Sequence, residues 1–557
     1  MAKKQSIHKL NSTDKSSFSI KNLSFDEKLS YSLLILLLLL ILLIRTKFLN
    51  IPFERDEGAY SYYGKLLLEG KIPYKDFYEQ KFPGIFYFYA FIIKLFGSTV
   101  RDLHLGFLFL NLSTIVLIYF ASKNIFNSTS AIIAAATFGF VSLTPMISGF
   151  TIQSEHGVAF FTSLGIFLYS LAVKHQKWFY YLAMGVAMGC AFMTKTTGIF
   201  MALWGGMIII IDFIFSKSSQ LKSSLKQMGW YAIGGFFIIA LMFFIIFIKG
   251  SFNEMIFWTF DVPKNYVSKV TLEEGEKFFG YTKDAIFNFN KFFWIYPLTS
   301  FFLFFIKSIS WRIKFLILTL AAFSFFTIVP GFYFYGHYWI QLVPGLSILA
   351  AATTYGIHHL FSTIFKLNST LIKFIYLGIF SLFIYSHISK FKQYYFNPNY
   401  ELILRNTYGN NPFPETMELA NYMNSFLKPE DKIAVLGSEP QFFIYTNRNA
   451  LSKHIFFYSL VTDMPQHKEW QREFVKDIES AKPKYFIYYN IPISLLVQPN
   501  TDKFIFEWAN KYVTENYNII GIVDMISGKQ ANYVWREQLN GYKQQAQEQI
   551  YIYERKQ

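Results

Sequence analysis

Residues 51–97, IPFERDEGAYSYYGKLLLEGKIPYKDFYEQKFPGIFYFYAFIIKLFG, decide how this chain is read. They follow directly on a long apolar run, residues 29–44 (LSYSLLILLLLLILLI), so the acidic pair Asp56 and Glu57 must lie at or near a membrane surface. Charges held there are costly and usually functional. The run sits behind a polar tail and is followed by Arg45 and Lys47, which marks a retained first transmembrane helix and not a cleaved signal. Lys3, Lys4, Lys9, Lys15, Lys21 and Lys28 in the tail favour a cytoplasmic N-terminus.

The composition of the 557 residues agrees with that reading. It is 53% hydrophobic and 20% aromatic, and only 16% charged, against roughly 25% for soluble domains. A net charge of +16 would suit a nucleic-acid binder, but cytoplasmic loops of membrane proteins supply the same excess of Lys and Arg. The basicity is read as topology, with no nucleic-acid partner. The single cysteine, Cys190, excludes an intrachain disulfide and a Cys-based zinc site, and it leaves the redox compartment open.

Further apolar runs occupy residues 103–121, 130–149, 156–173, 178–194, 197–215, 229–248, 292–307, 315–330, 338–360 and 370–389. Residues 82–96 form one more, about 22 Å long as a helix, which is short for a crossing. If it crossed, Lys123, Lys174, Lys177, the cluster Lys217, Lys222 and Lys226, and the cluster Lys307, Arg312 and Lys314 would all face outward. If it lies in the interface or re-enters, all of them become cytoplasmic, and the charge bias chooses this option. The expectation is a polytopic α-helical membrane protein with about eleven to thirteen transmembrane helices, a cytoplasmic tail 1–28 and a membrane domain 29–389. Its first outer loop, 51–97, carries interfacial helices. Asp56, Glu57, Glu155, Lys195, the loop 249–291 and His337 then share the outer face.

Beyond residue 390 prolines and charges become regular. Residues 390–557 are expected to form an extracytoplasmic soluble domain. Helical spacing over 415–427 and 470–480, with short β-type runs at 432–436 and 484–489, predicts an α/β layer structure. Gly437 follows a strand, but GSEPQ lacks the spaced glycines of a nucleotide fingerprint and places Pro440 where the helix would begin.

On the residues alone, two readings of the site stand side by side. Asp56 can act as a general base toward a hydroxyl, with Lys65, Lys71, Lys75 and Lys81 nearby to neutralise a phosphate leaving group. Equally, Asp56, Glu57, Tyr60, Tyr62 and the lysines anchor helix ends at an interface. Glu155 is either a first-turn helix charge or a second acid in the same cavity. Lys195 is read first as a snorkelling lysine, His156 as structural, and His337 with Tyr338 as an interfacial aromatic cluster. No HExxH, Walker-type loop or Ser/His/Asp arrangement is present.

The segment ERDEGAYSYYGKLLLEGKIPYKDFYEQKFPG resembles the first outer loop of bacterial GT-C membrane glycosyltransferases, among them the lipid A aminoarabinose transferases, with the protein O-mannosyltransferases as relatives. An acidic residue after the first helix is followed there by Tyr, by a Gly-x-x-Pro-Tyr turn (Gly70, Pro73, Tyr74) and by Lys-x-Pro (Lys81, Pro83). Residues 414–450 resemble the outer domain of a bacterial subgroup of glycosyltransferases.

The resemblance implies a GT-C fold and an inverting transfer from a polyprenyl-phosphate sugar donor to a hydroxyl of a lipid, glycan or protein. It places the chain in the bacterial inner membrane, in cell-envelope glycan biosynthesis. Asp56 would be the catalytic base, with Glu57 and Glu155 as supporting acids. Lys81, Arg55 and His337 would bind the donor phosphate, while Tyr60, Tyr74 and Lys195 would line the cavity. The resemblance demands no organic cofactor and leaves a divalent cation, on which members differ, as the one candidate, with no metal ligands assigned. A transporter or lipid flippase is the alternative. It ranks lower because the candidate charges cluster at one surface and no repeated halves are evident. An anchored scaffold would explain the C-terminal region but not the charges near Asp56.

Overall fold

A computed structural model describes residues 23–215, 221–267, 269–462, 464–526 and 530–557. Lys3, Lys4, Lys9, Lys15, Lys21 and Lys217 of the charge-bias argument lie outside the described residues.

Each expected apolar run is helical over most of its length. In chain order the helices are α1 (Phe25–Arg45), α2 (Arg55–Leu68), α3 (Gly84–Phe96), α4 (Val100–Ile125), α5 (Ser128–Val141), α6 (Ser154–His175) and α7 (Trp178–Thr194). They continue as α8 (Ile199–Ile214), α9 (Leu221–Ile248), α10 (Leu272–Leu298), α11 (Trp311–Phe326), α12 (Val343–His359) and α13 (Ser369–Lys390). Among the described residues, seven helical segments are long and apolar enough to cross a membrane, beginning at Phe25, Val100, Ser154, Thr196, Lys222, Gly336 and Ser369. Gly84–Phe96, Ser128–Val141, Trp178–Thr194 and Lys291–Phe305 are apolar but shorter.

Local chemistry accounts for the boundaries that differ from expectation. The run 130–149 stops being α-helical at Val141, where Thr144-Pro145 starts a separate 3₁₀ turn. The expected loop 249–291 is largely helical, because Thr271 caps α10 reciprocally with Glu274 and starts the helix about five turns before the apolar run. The same capping box begins α1 at Ser24/Glu27 and α4 at Thr99/Asp102.

Small residues set the closest helix approach. A Cβ at Gly185 or Gly189 of α7, a G-x-x-x-G pair, would meet the α9 backbone at Tyr231 or Gly235, and one at Gly234 would meet Leu182. Such spacing lets backbones touch where lipid supplies no hydrophobic drive between helices. Outward faces of α9 (Phe236, Phe244, Phe247) and α13 (Leu371, Phe374, Leu382) leave large apolar side chains exposed, as a surface solvated by hydrocarbon requires.

The C-terminal region adds α14 (Phe413–Asn424), α15 (His467–Ala481), α16 (Phe504–Asn516) and a five-stranded sheet in the order β1-β2-β5-β3-β4. The strands are β1 (Ile433–Leu436), β2 (Tyr485–Asn490), β3 (Tyr517–Asp524), β4 (Asn532–Trp535) and β5 (Gln549–Arg555). Only β1 and β2 pair in parallel, with α15 in the crossover between them. The last strand inserts antiparallel between β2 and β3.

Two main cores result. One fills the bundle formed by α1 and α4 to α13. The other joins the sheet to Phe53, Tyr60, Tyr63, Phe77, Phe86 and Tyr89, so residues 51–97 share a core with the C-terminal region and bridge the two halves of the chain.

Candidate active site

The N-terminus of α2 separates the neighbouring carboxylates. Glu54 caps the helix, its Oε1 accepting from the Glu57 N–H at 2.7 Å, while Glu57 Oε2 accepts from the Glu54 N–H at 2.9 Å. This reciprocal box turns Glu57 inward. It is fully buried, and its Oε1 takes the Ile152 N–H and lies 3.3 Å from His104 Nε2. Glu57 therefore fastens α2 to the loop before α6, and the expected supporting role at a cavity is corrected to a structural one. Burial, with Asp56 and Glu57 adding repulsion, pushes the Glu54 carboxyl well above its usual range.

Asp56, one residue earlier, points the other way and keeps about a third of its side chain exposed. Its Oδ2 accepts from the Tyr60 hydroxyl at 3.1 Å, one turn along α2, and lies 3.9 Å from Lys81 Nζ. The ammonium also sits 4.7 Å above the Tyr60 ring and 3.7 Å from Glu79 Oε1. Burial acts to lower the Lys81 pKa, but the facing Glu79 and Asp56 carboxylates outweigh it and raise the pKa, so the ammonium stays charged. Burial pushes Glu79 up in turn.

Tyr74 is buried and donates its hydroxyl to the Lys81 carbonyl at 2.7 Å. It holds the Lys81 turn and does not line a cavity, which corrects that expectation. Tyr60 is likewise buried, and reaches the site only through its hydroxyl and ring face.

Arg55 departs furthest from its expected place. Its guanidinium bonds the Ser438 carbonyl at 2.5 Å and Glu439 Oε1 at 2.6 Å, and stacks over Phe413. A carboxylate and a carbonyl inside the C-terminal region thus engage two of its nitrogens, and Arg55 is tied to that region and not to the Asp56–Lys81 pair. The GSEPQ turn thus serves as a dock for α2, and Gly58 packs so closely that a Cβ there would sit 2.5 Å from the Gln441 nitrogen.

A second cluster adjoins the first. Glu155, in the first turn of α6, is bonded to Lys195, whose ammonium lies 4.0 Å over the Tyr338 ring, and His337 Nε2 is 3.8 Å from Glu155 Oε1. Lys195 is a buried ion-pair partner and not a snorkelling group. Gly84 after the Lys81 turn presses on the Met193 backbone before Lys195, which brings the two clusters side by side. His156 is buried, its Nδ1 accepting from the Gln153 N–H.

Five chain segments therefore meet at one end of the bundle. Opposite helix ends carry Lys123 with Glu27, Lys373 with Asp26, and Arg312 with Asp212. Glu54 and Glu79 belong to the site region without having been singled out for it. The E-x-x-E spacing of a capping box is the signal that marks Glu54. Among the described residues no group of three or more His, Cys, Asp or Glu side chains gathers to hold a metal.

Comparison with known proteins bears on the fold. A family model described as dolichyl-phosphate-mannose-protein mannosyltransferase matches residues 80–247. The fold is similar to the crystal structure of ArnT from Cupriavidus metallidurans bound to undecaprenyl phosphate, with TM-score 0.59 and 12% identity, over 94% of this chain and 97% of that one. The chain has the GT-C glycosyltransferase fold. The apo form of the same ArnT superposes with TM-score 0.56 and 14% identity over the same shares of each chain. The Archaeoglobus fulgidus oligosaccharyltransferase in its apo form gives TM-score 0.51 and 12% identity over 92% of this chain and 75% of that one. No curated protein sequence matches the chain. In this GT-C fold the loop after the first helix carries Asp56 and Lys81, and residue 80 begins the matched family segment.

Proposed function

We propose that the protein is an integral-membrane glycosyltransferase that moves a sugar from a polyprenyl-phosphate donor to a hydroxyl acceptor in a lipid, glycan or protein. The observation that carries this reading is the Asp56–Lys81 pair, 3.9 Å apart and partly exposed, at the edge of an apolar helix bundle. Asp56 takes the acceptor hydroxyl proton as the oxygen attacks the anomeric carbon. The bond from that carbon to the phosphate oxygen breaks, and Lys81 faces the departing charge. Attack on the face of the anomeric carbon opposite the departing phosphate inverts that centre. A lipid phosphate is already a good leaving group, so one base, one held cation and exclusion of water supply what the transfer needs.

Tyr60 orders both groups through its hydroxyl and its ring face. Lys195 and His337 flank Glu155 as a second set of groups for the phosphate or the sugar. Charge bias supports a cytoplasmic tail 1–28, a membrane domain 29–389 and an extracytoplasmic domain 390–557, and the resemblance of the first outer loop to bacterial enzymes supports a bacterial inner membrane. Grouping of the charges at helix ends, not at midspan, favours transfer chemistry over transport.

Purified protein incubated with a panel of polyprenyl-phosphate sugars should release free polyprenyl phosphate in step with acceptor glycosylation. Accumulation of substrate inside sealed vesicles without any covalent product would overturn the reading.

A further inference from the structure

A cleft of about 300 Å³ opens beside His337, between one face of α10 (Glu274, Phe278, Tyr281) and the turn carrying Tyr333 and Tyr335. Its walls are aromatic and its rim is polar, with Lys269, Glu274 and Thr282. The turn, GFYFYGH, is built to present those tyrosines. Phe332 and Phe334 both adopt positive φ, 56° and 45°, which bulky residues rarely tolerate. Phe334 is buried with its ring 5.1 Å from that of Phe279, and Gly275 of α10 packs against Phe332. The backbone thereby tucks alternate phenylalanines inward and leaves Tyr335 exposed at 44%, opposite Tyr281 at 76%. Such strain is retained where the surroundings fix it, commonly at binding sites.

The rings then run toward the charged cluster. Tyr333 and Tyr335 stack at 5.3 Å, Tyr335 and His337 at 5.8 Å with planes 15° apart, and His337 reaches Glu155. A purely apolar lipid tail has no use for the lysine, carboxylate and hydroxyl at the rim. A sugar uses both, laying the C–H-rich face of its ring on an aromatic face while its hydroxyls bond the polar edge.

We infer that this cleft is an acceptor subsite for a saccharide, held by stacking on the exposed Tyr281 ring and by contact with the outer edge of Tyr335, at the end of a ring ladder that leads to the Glu155–Lys195 cluster. The inference rests on the glycosyltransferase reading for the acceptor role, but the binding itself is tested without turnover. The full chain in lipid nanodiscs is titrated with chitotetraose and α-mannotetraose, and saturation-transfer NMR reports binding. At least one saccharide should bind the natural protein, and Tyr335→Ala or Tyr281→Ala should weaken it about 3- to 10-fold. Tyr335→Trp should retain it, and undecaprenyl phosphate binding should not change. Binding is read without donor and without turnover, so a failed catalytic role for Asp56 would leave this result standing. The proposal is overturned if neither saccharide binds, if the alanine variants bind as tightly, or if they lose the lipid phosphate instead.

Discussion

Asp56 and Glu57 are identical in chemistry to within one methylene, yet the first turn of α2 assigns them different surroundings. Glu57 is caught in a capping box and by the Ile152 amide in a fully buried place, so Glu57→Gln should cost stability. About 1–3 kcal/mol is expected from the weakened buried acceptors, read as a lower thermal midpoint. Asp56 keeps solvent access and faces a lysine whose charge its neighbours maintain. Lys81→Met should lower affinity for undecaprenyl phosphate about 10-fold or more while leaving the fold intact, since charge-assisted bonds are the stronger kind. Unchanged affinity in a binding titration would remove Lys81 from the phosphate site.

At the scale of elements, α2 is the joint of the molecule. Its N-terminal Arg55 bonds the fully buried Glu439, and Tyr62 accepts from the Ala450 amide at 2.7 Å. Further along the loop, Tyr78 bonds Ser459 and stacks on Trp258 at 3.7 Å, which in turn lies 5.0 Å from Trp470. Removing Arg55 strands a buried carboxylate, so Arg55→Ala should destabilise by about 3–5 kcal/mol. Arg55→Met combined with Glu439→Gln should recover most of the loss in thermal unfolding. Equal loss in the single and double variants would contradict the pairing.

The whole molecule couples a lipid-solvated bundle to a mixed sheet through one shared loop. In the C-terminal region burial keeps His454 below its usual pKa, and its ring takes the Tyr78 hydroxyl and bonds Glu473. His454 and Lys453 hold Glu473 at about 2, from an ordinary 4.5. A lowered carboxylate pKa contributes stability fully above pH 4.5 and loses it as the pH falls toward 2. The stability gap between natural protein and Glu473→Gln should therefore be widest above pH 4.5 and close below it, staying under about 1 kcal/mol for so exposed a group.

Much of this architecture was legible in the sequence because hydrocarbon imposes long apolar runs, and because Asp56, Lys81, Glu155 and His337 sit at their ends. The strands β3 to β5 were not. They take their neighbours from distant parts of the chain, and β5 enters the sheet between strands formed earlier. The true places of Arg55 and Tyr74 were equally hidden, since Ser438, Glu439 and the Lys81 carbonyl become their partners only once the chain folds.

The central claim is that Asp56 removes a proton from the acceptor opposite a lysine that receives the lipid phosphate. It is tested most directly by single-turnover release of polyprenyl phosphate from Asp56→Asn, in protein verified to unfold at the natural temperature and to bind undecaprenyl phosphate normally. The account predicts a loss of about 10²- to 10⁴-fold with binding intact. Release at the natural rate would contradict it.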